Sequence, residues 1–185
     1  RNVRGMSGRG SIVLVLGGTR SGKSAVAERL ARASGGPVTY LATGPTGEGM
    51  EARIAAHRAR RPADWTTIEC GPSLAEALGA VPAGATVLVD SLGTWLAGHH
   101  DFVTDDSSLL AALSARTGST IVVSEEVGLS LHAPSEVGRR FVDRLGEVNQ
   151  AVAAIADRVG LVVAGRTLWL PADGPTATGA TEATA

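Results

Sequence analysis

The chain has 185 residues, of which 44% are apolar and 19% charged, with a formal net charge of −1. This length fits one α/β domain, the apolar fraction excludes wholesale disorder, and the charge balance argues against a general nucleic-acid binder, which needs positive charge to displace phosphate counterions. Cys70, the only cysteine, excludes an internal disulfide and a multi-cysteine metal site; the early aliphatic run Ile12 to Leu16 is too short for a membrane span or a secretion signal, so a reducing, cytoplasmic setting is expected.

Residues 1–10 are polar and glycine-rich and read as an N-terminal extension. Residues 11–170 read as a single domain, and 171–185, rich in Ala, Thr, Gly and Pro, as a flexible tail. Within the domain the predicted strands are Ile12–Leu16, Val38–Thr43, Thr66–Glu69, Thr86–Asp90, Thr120–Ser124, Leu161–Ala164 and Thr167–Leu170. Several are continuously apolar, the pattern of parallel strands buried on both faces. The predicted helices are Lys23–Ser34, Met50–Arg60, Leu74–Ala80, Ser107–Ala115 and Ser135–Asp157. Gly35-Gly36 ends the first, and Ser73 with Glu76 matches a capping box at the third. On the last, Val137, Phe141, Leu145, Val148, Val152, Ile155 and Val159 recur at steps of three and four and predict one core-facing surface. Alternation of strands and helices predicts an α/β fold, a mostly parallel sheet with helices on both faces.

Gly17-Gly18-Thr19-Arg20-Ser21-Gly22-Lys23-Ser24 satisfies the G-x-x-x-x-G-K-[ST] phosphate-loop pattern, with a strand entering it and a helix leaving it. Glycines let backbone N–H groups curl around phosphate oxygens, and the helix start adds its positive dipole end. Lys23, the only lysine of the chain, is placed to reach the β- and γ-phosphates, and the Ser24 hydroxyl to ligate Mg²⁺. Thr86-Val87-Leu88-Val89-Asp90 ends in an acid at the carboxyl end of a strand, where ligands sit in such sheets, so Asp90 is the second candidate for the metal. On the Met50–Arg60 helix, His57 continues the Met50/Ile54 face and is followed by Arg58, Arg60 and Arg61. Taken alone this is a histidine at the edge of a core face with arginines at a helix end; beside a phosphate loop it suggests an imidazole that attacks phosphorus while guanidiniums hold the oxygens.

The run Gly17 to Glu28 strongly resembles the start of the bifunctional adenosylcobinamide kinase/adenosylcobinamide-phosphate guanylyltransferases. The resemblance continues through Tyr40-Leu41-Ala42-Thr43 and Met50 to Glu69, whose Met-x-x-Arg-Ile-x-x-His…Arg-Pro-x-x-Trp-x-Thr-x-Glu pattern is far more specific than a phosphate loop. It resumes at Val89 to Leu96, Glu126-Val127-Gly128, Arg139 to Gln150 and Leu161 to Gly165, covering nearly all of Ile12 to Leu170. It implies a RecA-like P-loop NTPase fold and a homo-oligomer, usually a trimer. It implies phosphorylation of the aminopropanol hydroxyl of adenosylcobinamide with ATP or GTP, then transfer of GMP from GTP to that phosphate, giving adenosylcobinamide-GDP and pyrophosphate. The guanylylated histidine falls on His57. The nucleotide-binding positions fall on Gly17, Gly18, Thr19, Arg20, Ser21, Gly22, Lys23 and Ser24, on Ala42, Thr43 and Gly44, on Arg58, Ala59, Arg60 and Arg61, and on Glu69 and Asp90. Four departures stand out: Glu125 replaces a usual Asn, Ser130 a usual Gly, the glycine-rich loop Gly44-Pro45-Thr46-Gly47-Glu48-Gly49 lacks the paired acids often seen there, and the Trp95 to Leu109 connection is short.

The implied chemistry sets physical requirements. His57 must be neutral to attack the α-phosphorus of GTP, and Arg20, Lys23 and Mg²⁺ would stabilise the departing pyrophosphate. Glu126, near the end of the Thr120–Ser124 strand, is the candidate base for the kinase step, or else a solvated or capping acid. Glu69 reads equally as an acceptor for the guanine or ribose and as a strand-end acid. Trp65 and Trp95 read as core aromatics before stacking platforms. His99 and His100 lack further ligands for a closed metal site. A plain small-molecule kinase is the nearest rival. A GTP-binding switch would need an Asn-Lys-x-Asp motif, which a chain with Lys23 as its sole lysine does not contain.

Overall fold

The structure is a computed structural model, and it describes residues 9–44, 62–129 and 135–172. The predicted Met50–Arg60 helix, with His57 and Arg58 to Arg61, lies outside the described residues, as do the tail from 173 onward and residues 1–8 of the extension. The described elements, in chain order, are β1 (Ile12–Gly17), α1 (Lys23–Ala33), β2 (Val38–Ala42), β3 (Thr66–Glu69), α2 (Leu74–Ala80), β4 (Thr86–Asp90), α3 (Leu92–Ala97), a 3-10 turn (His100–Phe102), α4 (Asp106–Ser114), β5 (Thr120–Glu125), α5 (Glu136–Ile155), β6 (Arg158–Val163) and β7 (Arg166–Leu170).

They build one seven-stranded sheet in the order β3-β2-β4-β5-β1-β6-β7. The first six strands are parallel to their neighbours and β7 returns antiparallel to β6 through a tight hairpin. The apolar runs predicted from sequence are buried on both faces. Leu14, Val89 and Val122 point into a large core shared with Leu74, Leu78, Leu92, Trp95, Leu109, Leu145, Val148 and Val152 of α2 to α5. Val15, Leu88, Ile121 and Val123 point the other way, against Val26, Ala27 and Ala31 of α1. One helix covers one face and four cover the other among the described residues, because side chains alternate along each strand while the helices supply apolar faces at helical spacing.

Several expectations change, β6 among them, which begins at Arg158 rather than Leu161. The long helix stops at Ile155, so Val159 belongs to β6 and Val137 is exposed. Asp157 ends the helix by turning back to β1, where its carboxylate accepts from the Ile12 N–H (2.7 Å) and pairs with Arg9 (2.8 Å). Ser73 makes no side-chain cap, and the capping box forms instead at α3, where Ser91 and Thr94 exchange hydroxyl-to-backbone hydrogen bonds. α3 escapes sequence reading because its box uses Thr rather than Glu or Gln at the fourth position, and because Asp90-Ser91 reads as a turn.

The candidate phosphate site

β1 delivers the chain to the carboxyl edge of the sheet at Gly17, whose neighbours across the ladder are Glu125 on β5 and Val162 on β6. The loop then folds on itself: the Ser21 N–H donates to the Gly18 carbonyl (3.2 Å), and the Ser21 hydroxyl accepts from the Lys23 N–H (3.3 Å). Gly22 has φ of 93°, a left-handed conformation that costs a side-chain-bearing residue free energy and is open to glycine. From it α1 begins at Lys23, so the first turn of the helix opens toward the loop. The β6–β7 hairpin tip steadies the loop from outside, its Gly165 N–H donating to the Ser21 carbonyl (2.7 Å). The predicted run Gly17 to Ser24 is therefore a built strand–turn–helix cradle, with Thr19 and Arg20 exposed.

Two carboxylates stand beside it. Asp90 ends β4, and one of its oxygens accepts from the Tyr40 hydroxyl (2.7 Å). Glu125 ends β5, the strand between β4 and β1, and its Oε1 lies 3.6 Å from Lys23 Nζ. Lys23 Nζ also donates to the Gly18 carbonyl at 3.5 Å, so the lysine curls back over its own loop. The sequence offers Glu126 as the candidate base and Glu125 only as a departure from the family, because the predicted strand stops at Ser124. In the fold the strand runs one residue further, and Glu126 turns away to cap its own turn, its carboxylate accepting from the Gly128 N–H (2.8 Å). The signal that marks Glu125 is its register directly opposite Gly17.

Behind these groups lies a packed hydroxyl cluster. The Thr43 hydroxyl donates to the Ser91 carbonyl (2.7 Å), accepts from the Ser91 N–H (2.9 Å) and meets the Thr94 hydroxyl at 2.6 Å. Thr43 is buried, so its hydroxyl is committed to joining β2 to the start of α3. Ala42 is half-buried at the end of β2, its carbonyl taken by the Cys70 N–H (2.9 Å), and Gly44 follows Thr43 at the surface rim. The Cys70 thiol is pushed above its ordinary pKa by burial, which keeps it protonated and unreactive. Glu69 pairs in register with Ala42 on the edge strand β3, four strands from β1 and so about 19 Å along the edge from the phosphate loop. Among the described residues, the sites expected from the sequence lie in two groups on one edge, a phosphate end around Lys23 and a distal end around Ala42, Gly44 and Glu69.

The remaining singled-out residues are structural. Trp95 is buried, its indole N–H donating to the Pro72 carbonyl (2.9 Å). Trp65 packs at the edge of the second core with Arg32 over its ring. His99 bonds the Trp95 carbonyl (2.9 Å), His100 is exposed beside Asp101, and the described residues hold no cluster of three metal-ligating side chains. Asn149 donates from Nδ2 to the Glu125 carbonyl (3.1 Å).

A phosphate loop between a parallel strand and a helix, with an acid ending a nearby strand, defines a P-loop nucleotide-binding domain. Two solved structures share this fold at low identity: a prototypical ATPase from the type III secretion system of pathogenic bacteria (TM-score 0.52, 12% identity, 83% of this chain and 51% of that one), and the flagellar accessory protein FlaH from Methanocaldococcus jannaschii (TM-score 0.50, 16% identity, 86% and 75%). Residues 13–170 match the cobinamide kinase/cobinamide phosphate guanyltransferase family, and the chain belongs to it. It is 45% identical over 162 residues to the bifunctional adenosylcobalamin biosynthesis protein CobP of Pseudomonas aeruginosa, covering 82% of this chain and 92% of that relative. It is also 36% identical over 175 residues to the bifunctional adenosylcobalamin biosynthesis protein CobU of Salmonella typhimurium, covering 83% and 96%. None of the described helices is long and apolar enough to cross a membrane.

Proposed function

We propose that this chain is a bifunctional enzyme of adenosylcobalamin biosynthesis that phosphorylates adenosylcobinamide with ATP or GTP and then transfers GMP from GTP to the new phosphate. The single observation that carries this reading is the family match over residues 13–170, which spans the whole sheet and takes in the built phosphate cradle. In the first reaction the aminopropanol oxygen bonds to the γ-phosphorus, the bond from that phosphorus to the β–γ bridging oxygen breaks, the nucleoside diphosphate leaves with the bonding pair, and the hydroxyl proton passes to water. Backbone N–H groups of Gly18 to Lys23 and the Lys23 ammonium bind and orient the phosphates, so most of the rate gain comes from positioning and charge stabilisation. Ser24 and Asp90 offer a hydroxyl and a carboxylate, an all-oxygen set suited to a hard ion, and would hold Mg²⁺. That ion supplies neutralisation of phosphate charge.

In the second reaction a ring nitrogen of neutral His57 bonds to the α-phosphorus of GTP and pyrophosphate leaves. The phosphate oxygen of adenosylcobinamide phosphate then displaces the histidine from the same phosphorus, giving adenosylcobinamide-GDP. Arg58, Arg60 and Arg61 hold the phosphate oxygens. Ala42, Gly44 and Glu69, at the distal end of the carboxyl edge, receive the nucleoside of a nucleotide laid along it. We assign the enzyme to the cytoplasm and, as the family resemblance implies, to a homo-oligomer, a trimer; Val163 (62%) and Leu168 (63%) on the outermost hairpin are exposed apolar surface that a subunit contact would cover.

The test is a labelling experiment. Protein incubated with Mg²⁺ and α-labelled GTP is expected to carry an acid-labile, alkali-stable label that His57→Ala does not acquire. Failure of the wild type to label, with adenosylcobinamide phosphorylation intact, leaves a simple kinase.

A further inference from the structure

The Lys23–Glu125 contact has no part in either reaction as written above. Among the described residues both contacts of the ammonium are long, 3.6 Å to Glu125 Oε1 and 3.5 Å to the Gly18 carbonyl. The carboxylate, by contrast, is firmly fixed. The Ser91 hydroxyl lies 3.0 Å from each of its oxygens, and the Gly93 N–H donates to Oε2 at 3.1 Å. Gly93 makes room for it, since a Cβ there would overlap Oε2. The backbone of Glu125 is tied by the Asn149 amide and by its register opposite Gly17. A carboxylate held on this many sides does not move aside when an anion arrives, whereas a lysine on a flexible stem does.

Among the described residues the mouth of the loop therefore carries two fixed carboxylates, Glu125 and Asp90, beside the ammonium of Lys23. Glu125 stands in for a phosphate oxygen on Lys23 while the loop is empty. When a polyphosphate enters, the same carboxylate becomes a like charge within a few ångströms of it. A divalent cation carried on the phosphates offsets that repulsion, and a bare polyphosphate meets it without that offset. We propose that Glu125 is a specificity residue that makes this loop select metal-loaded over metal-free polyphosphate. The proposal rests on the reading that the loop takes a Mg²⁺-nucleotide.

Calorimetric titration of GTP into wild type, Glu125→Gln and Glu125→Asn, once with excess Mg²⁺ and once with EDTA, tests it. The amide of Gln keeps one oxygen for the Gly93 N–H, and the shorter Asn serves should Gln fail to fold. Both variants are expected to bind metal-free GTP about tenfold tighter than wild type, the scale of one partly solvated like charge removed, while binding of Mg²⁺-GTP changes less than about threefold. Metal-free binding that is unchanged or weaker in the variants overturns the proposal, as does an equal gain for both forms. Wild-type protein that binds GTP in neither form overturns the proposed function itself, whereas tight Mg²⁺-GTP binding with no gain in the variants overturns this inference alone.

Discussion

The two ends of the sheet each hold one conspicuous cation, and they hold it in opposite ways. At the amino end, Arg116 is 3% exposed and makes five hydrogen bonds: to the Thr120 hydroxyl and to the carbonyls of Leu78, Val81, Pro82 and Ala85. No carboxylate is among those partners, and burial pushes the guanidinium below its ordinary pKa without discharging it. At the carboxyl end, Lys23 has, among the described residues, two long contacts, to Gly18 and Glu125. The guanidinium is clamped by fixed carbonyls that nothing replaces. The ammonium is parked on partners that a phosphate can displace. A buried cation with every donor satisfied is architecture, and one held loosely beside glycines is a binding group.

Exchanging the two roles should fail in opposite ways, and the largest expected effect is on activity. Lys23→Ala should lower kcat of both reactions by about 10²-fold or more, as loss of a charge-stabilising group does, with the melting temperature nearly unchanged. Assay of phosphorylation and of protein guanylylation, beside a thermal melt, checks both halves. Arg116→Ala should do the reverse. It leaves buried carbonyls without donors and should cost about 3 kcal/mol or more, about 6–12 °C in melting temperature, while folded protein keeps its nucleotide affinity.

Intermediate effects sharpen the contrast at the site itself. Gly93→Ala drives a methyl into the Glu125 carboxylate and should cost about 1–3 kcal/mol and shift nucleotide affinity, read by denaturant titration and calorimetry. Thr43→Val removes the hydroxyl that bridges Ser91 and Thr94 and should cost about 1–2 kcal/mol, with the loss in kcat exceeding that in KM if the cluster positions Asp90.

The smallest effect lies away from both ends. The Ser107 and Ser108 hydroxyls and the Ser108 N–H hold Asp105, at the start of α4, down at about 2. A carboxyl lowered on folding stabilises the native state above its unfolded pKa and loses that contribution as pH falls through the folded one. Asp105→Asn should therefore melt slightly below wild type at neutral pH, with the gap closing between about pH 4 and pH 2.

Most of the fold was legible because it is written in short-range patterns. Thr66–Glu69, Leu74–Ala80 and Thr86–Asp90 begin and end as read, since apolar alternation, helical spacing and turn residues act over a few positions. The phosphate loop was legible for the same reason. α3 was not, because its capping box depends on Ser91 and Thr94 also meeting Thr43 from a distant strand. Glu125 was missed by one residue. Its neighbour Glu126 carries the same functional group, and only the length of β5 decides which of the two faces Lys23.

The amino-acid order by itself determined the strand–helix alternation, the cradle from Gly17 to Ser24 and the acid at Asp90, each encoded by residues adjacent in the chain. Tertiary structure alone decided that β5 lies between β4 and β1, and so which carboxylate shares the site with Lys23. Pairing order is set by long-range burial of both sheet faces. Along a strand a shift of one position turns a side chain to the opposite face, which no local pattern can specify.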